Sequence, residues 1–121
     1  MKPCTNMFAS LVLLTAACLA MPSMAGQDGD DANRKSRELT EQSKSVLVEA
    51  GEAEDNDDYA SACSKYSDGA ELLERAIYAS LPMMLDSDYD SAEVERHNDE
   101  LQKIVNMAKE GAKRSCALAK Q

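Results

Sequence analysis

The sequence predicts a small all-α protein: a three-helix up-down bundle stapled by one disulfide, behind a cleaved signal peptide. Three observations predict it. Apolar residues recur at intervals of three and four along three long segments, the spacing that lines one face of an α-helix. Residues 1–25 have the layout of an export signal. Cys63 and Cys116, the two cysteines left once that signal is removed, form an even pair in an oxidising compartment.

Lys2 gives the signal a positive start, and Met7 to Met21 is apolar or small apart from Ser10 and Thr15. Pro22 breaks the run, and Ser23-Met24-Ala25 puts small residues where a signal peptidase reads them. The 15-residue run is shorter than the roughly 20 residues a membrane-spanning helix needs. Cleavage after Ala25 leaves 96 residues, Gly26 to Gln121, in the periplasm or outside the cell. Leu14-Thr15-Ala16-Ala17-Cys18 also resembles a bacterial lipoprotein box, in which Cys18 would carry the lipid. Thr15 stands where an apolar residue is usual and a second cleavage site follows, so simple cleavage is the preferred expectation.

Losing Lys2 leaves 12 basic against 22 acidic residues, so the processed chain carries a net charge of −10. It keeps no Phe and no Trp, and Leu, Ile and Val number only 14 of its 96 residues. A chain this poor in large apolar side chains and this charged is at the edge of folding. Thirteen alanines offer close helix packing instead. Bridging Cys63 to Cys116 would close a loop of 53 residues and stabilise by about 4 kcal/mol on the chain-entropy model. A redox role for two free thiols lacks the Cys-x-x-Cys spacing that would support it.

Gly26 to Asn33 is polar, acidic and glycine-bearing, and is expected to be a flexible leader before a helical domain over 34–121. The first helix shows Leu39, Ser43, Val46, Leu47 and Ala50 on one face, with Gly51 and the acidic run 54–58 ending or interrupting it. The second carries Tyr59, Ala62, Cys63, Tyr66, Ala70, Leu73, Ile77 and Leu81, with Asp57 or Asp58 as N-cap and Pro82 marking its exit. The third spans Ser91 to Ala119, with Val94, Leu101, Ile104, Val105, Ala108, Ala112, Cys116 and Ala119 on its face. Asp90 and Glu93 fit a capping box, and Lys103, Lys109, Lys113, Arg114 and Lys120 gather toward the negative end of the helix dipole.

Antiparallel pairing about a turn centred at 86–88 places residues 109–113 opposite Cys63. Cys116 is then three to seven residues too far along, about 5–10 Å at 1.5 Å per residue. The smaller offset permits the bridge. The larger needs a helix shift or a helical path continuing beyond Pro82.

Val46, Ala50, Tyr59, Ala62, Tyr66 and Gly69 occupy spacings similar to a tetratricopeptide hairpin. Thirty-four residues further on stand Glu93, Arg96 and Glu100, and Glu74 occupies the place of the closing proline. The spacing is therefore generic helix–turn–helix packing.

Few residues invite chemistry. His97 is the only histidine, between Val94 and Leu101, without companion ligands. Asp86, Asp88 and Asp90 begin a calcium-loop pattern, but Ser91 and His97 fill the positions where glycine and a bidentate glutamate belong. With Glu93 they define a candidate weak Ca²⁺ site; the plainer expectation is turn and cap hydrogen bonding. No nucleophile signature or glycine-rich phosphate loop is present, and no carboxylate pair stands out, so an enzyme is not expected. The net negative charge opposes nucleic acid and anionic lipid, and favours a basic protein partner. Met83 and Met84, adaptable side chains in a turn, are the candidate contact residues. The leading expectation is thus an exported, non-enzymatic helical protein acting by protein–protein contact as an adaptor, inhibitor or small chaperone. The alternative is weak divalent-cation binding, and the small-residue surface also suits a homodimer.

Overall fold

The computed structural model describes residues 29–121. The expected signal peptide over 1–25, the Cys18 lipidation alternative and residues 26–28 of the expected leader lie outside the described residues. Within them run three helices, α1 (Gly29–Asp55), α2 (Tyr59–Ala79) and α3 (Ser91–Ala119), with a 3-10 turn over Leu81–Leu85 between the last two. None of these helices is long and apolar enough to cross a membrane.

Helix α1 starts at Gly29 rather than Arg34, so residues 29–33 form its opening turn instead of a leader. A contact distant in sequence accounts for this. The Gly29 amide donates to the Asp86 carboxylate at 2.8 Å, satisfying an N–H that a helix start leaves orphaned. Asp30 and Asp31 add negative charge at the favourable end of the dipole. Gly51 does not stop the helix, which runs on to Asp55.

The acidic run then divides its labour. Asp57 takes the left-handed conformation, φ 61°, that often closes a helix and that Asp tolerates better than most residues. Its N–H and that of Asp58 donate back to Glu54 and Ala53. The Asp58 side chain accepts from Ser61 N at 3.2 Å, capping α2. Asp90 caps α3 by accepting from Ala92 N at 3.0 Å. Glu93 makes no reciprocal box; it pairs with Arg96 at 2.5 Å.

Contacts between α1 and α2 run in opposite sequence order, Ser36 to Ala76 and Glu49 to Lys65, as do those between α2 and α3, Cys63 to Cys116 and Ser80 to Asn98. Both neighbouring pairs are therefore antiparallel, with α2 packed along both partners. Helices α1 and α3 have little direct backbone contact.

The seam is made of small residues. Helix α1 buries Gly29, Ala32, Ser36, Leu39, Ser43 and Ala50; α2 buries Ala62, Gly69, Ala70, Leu73 and Ala76; α3 buries Val94, Leu101, Val105, Ala108, Gly111, Ala112 and Ser115. Most follow alternating steps of three and four, the period of helices packed along their length. Gly69 makes room for the Leu47 side chain, and Gly111 lies under the Tyr66 ring. The buried hydroxyls of Ser36 and Ser43 donate to the carbonyls of Ala76 and Thr40 at 2.9 and 2.7 Å. Leu39, Leu73, Leu101 and Val105 are the larger members of the apolar cluster at the centre.

Three expected face residues fall outside this seam. Leu81, Ile104 and Ala119 are exposed, and so is His97, placed by sequence on the apolar side. The register of the cysteines also resolves. Pro82 occupies the start of the 3-10 turn, where its missing N–H costs nothing, and the helical path continues to Leu85. Cys63 pairs with Cys116 and Ser80 with Asn98, so the reversal is centred near residue 89. The Cα atoms of Cys63 and Cys116 are 4.7 Å apart, with their sulfurs at disulfide distance.

Candidate functional site

Polar side chains concentrate at the two ends of the bundle. At the end formed by the α2–α3 connection, the expected site residues hold the turn together. One Asp86 oxygen accepts from Gly29 N at 2.8 Å and the other from Asp88 N at 2.9 Å. The Tyr89 hydroxyl donates to Asp30 at 2.5 Å, which, with burial, pushes its pKa above the usual tyrosine range. Asp90 is occupied as a cap and Glu93 with Arg96. Among the described residues, no three His, Cys, Asp or Glu side chains converge as a metal site would require.

The same turn presents apolar surface. Met83 and Met84 are half-buried against the bundle end. Their neighbours are the exposed ones: Leu81 is 44% exposed, Leu85 92%, and Tyr78, at the end of α2, 76%. Aspartates 86, 88 and 90 follow directly. Single exposed apolar residues are ordinary on a protein surface. Three of them within eight residues, rimmed by carboxylates, in a chain this poor in large apolar groups, are not.

Between the starts of α1 and α3, beside this turn, runs a groove of about 390 Å³ whose lining includes Arg37, Met83, Asp88, Arg96, His97 and Asn98. At its floor Asn98 Nδ2 donates to Ser80 Oγ at 2.8 Å, which in turn donates to the Ile77 carbonyl at 2.7 Å. Asn98 Oδ1 is buried without a protein partner. Sequence reasoning passed over Ser80 and Asn98; the signal for them was a polar residue at each of two seam positions.

At the opposite end, Glu54 joins all three helices. Its carboxylate accepts from Arg114 Nε at 2.6 Å, from a second Arg114 nitrogen at 3.0 Å and from the Tyr66 hydroxyl at 2.7 Å. The Arg114 hydrogen bond first, and that of Tyr66 second, hold the Glu54 carboxyl below its ordinary pKa, while Tyr66 is pushed up by Glu54 and by burial. This cluster is structural: it lies next to Gly111 and Cys116 and ties α1 to the disulfide end.

Compared with known proteins, the chain matches no family model, no curated protein and no solved structure. Its function must be argued from these surfaces. The turn end offers apolar side chains beside carboxylates, a combination suited to holding the apolar stem and cationic head of lysine or arginine side chains. The Glu54 end is consumed by internal pairing.

Proposed function

We propose that this chain is an exported, non-enzymatic helical protein that acts by binding a basic protein partner through the 78–90 end of its bundle, as an adaptor, inhibitor or small chaperone would. One observation carries the reading: Tyr78, Leu81 and Leu85 stand exposed immediately before Asp86, Asp88 and Asp90. Apolar burial would supply affinity, and the carboxylate rim would select a cationic partner and speed its approach. The half-buried Met83 and Met84 between Leu81 and Leu85 add side chains that can adjust to an irregular surface. Export is supported by the signal-like residues 1–25 and by a cysteine pair at disulfide distance, which suits an oxidising compartment.

The test is comparative capture from the envelope or culture fluid of the producing cell. The processed protein should retain a basic partner that Leu85→Asp loses by about tenfold or more in affinity, with the loss steepening as salt rises. Equal retention of that partner by the Leu85→Asp protein sinks the assignment. Intact mass of the captured protein should correspond to a chain beginning at Gly26.

A further inference from the structure

A second exposed surface lies on α3. His97, Glu100, Ile104 and Met107 follow one another at steps of three and four, and all four are exposed, on a side of α3 away from the buried seam that packs on α2. Ile104 is 41% and Met107 71% exposed. Helix α1 does not cover them; its backbone has little contact with that of α3, which it meets through Glu54 and Arg114. Acidic residues outnumber basic ones toward the start of α3, where Glu93, Glu95, Asp99 and Glu100 stand with Arg96 and Lys103, and basic ones outnumber acidic toward its end, where Lys109, Lys113, Arg114 and Lys120 stand with Glu110.

Such a stripe is complementary to itself when reversed. We infer that the α3 stripe is an isologous interface for a second copy of this chain, with the two α3 helices antiparallel about a two-fold axis at Met107. In that register Met107 meets its own counterpart, with the exposed Ile104 side chains flanking it on either side. Lys103 comes opposite Glu110, and the pair occurs twice. Lys103 and Glu110 are exposed and make no ion pair among the described residues. Two chains that each carry a large negative charge repel in most orientations, and a reversed α3 pair sets the acidic start of one helix against the basic end of the other. Reversal also sends the two 78–90 ends to opposite poles, so the pair would be bivalent.

Sedimentation equilibrium of the processed protein from about 1 µM to about 1 mM is expected to show a monomer–dimer equilibrium in the micromolar range, as suits one helix pair. Met107→Glu should weaken it by about tenfold or more, and Lys103→Glu by severalfold, through like charges facing Glu110. Adding Glu110→Lys to Lys103→Glu should restore the affinity, which loss of fold alone would not do. Circular dichroism keeps the comparison to variants of unchanged helicity. A monomer across the whole range overturns the inference. So does a dimer indifferent to Met107→Glu, or one whose Lys103→Glu defect the second substitution fails to repair.

Discussion

Glu54 shows how much one side chain does in a thin bundle. It begins in the acidic run after Gly51, yet its carboxylate is taken up by Arg114 of α3 and Tyr66 of α2. Because these partners lower its pKa, the stabilisation is complete above the ordinary glutamate value of 4.5 and disappears as pH falls through the lowered one. Glu54→Gln should therefore melt earlier at neutral pH, by about 1 kcal/mol, and should lack the part of the acid-induced loss seen below that value in the parent protein. Superimposable acid melts of the two proteins would show the cluster to be inert. Tyr66 has the opposite sign: its raised pKa means that the hydroxyl's contribution is intact below 10.0 and fades as pH climbs through the raised value. Tyr66→Phe should remove this alkaline dependence while leaving the Arg114 pair in place.

At the scale of elements, glycines that look alike in sequence act differently. Gly51 is inside α1, and a Cβ there would meet nothing within 4 Å. Gly51→Ala should stabilise the protein by about 1 kcal/mol in a urea melt, through helix propensity alone. Gly111 faces the Tyr66 ring, three of whose atoms lie 3.0 Å from the position of an added Cβ. That ring is held by its bond to Glu54 and cannot slide away, so Gly111→Ala should cost about 1 kcal/mol net through overpacking. Matching gains from the two substitutions would mean that the Tyr66 contact is soft. The helices themselves were legible from their apolar period, and α3 begins and ends where that period does. Ser43 stands on the face read from the sequence, but Ser36, Ser80 and Ser115 were not read as core, because a search for apolar residues discards hydroxyls. Three of the four donate to a backbone carbonyl, which lets a small polar group occupy a seam without the cost of an unmade bond.

The molecule as a whole should depend on its cysteine pair. Its seam is largely alanine, glycine and serine, and the largest fully buried side chains are only Leu73, Val105, Ser43 and Ser115. Such a core removes little apolar area from water, so a constraint on the unfolded chain carries a large share of stability. Replacing both Cys63 and Cys116 by serine should cost about 4 kcal/mol and lower the melting temperature by roughly 20 °C. A chain whose helicity and melting point ignore reductant would refute that dependence. The acidic turn is the other whole-molecule lesson. Asp86, Asp88 and Asp90 read locally as the start of a cation loop, but one Asp86 oxygen is spent on the first amide of α1, 57 residues away.

The amino-acid sequence by itself determined the helical class and the span of α3; it proposed the bridge from Cys63 to Cys116 and aspartates 57, 58 and 90 as caps, without deciding the register or which aspartate caps α2. Periodicity, composition and caps act within a few residues, so they are written locally. Only the tertiary structure decided where α1 starts, which side chains share the seam and which apolar residues remain outside it. Those outcomes depend on contacts between residues far apart in the chain: Gly29 with Asp86, Tyr66 with Gly111, Glu54 with Arg114. The axial register also needed three dimensions, since a 3-10 turn through Pro82 carries the chain far enough to bring two cysteines face to face.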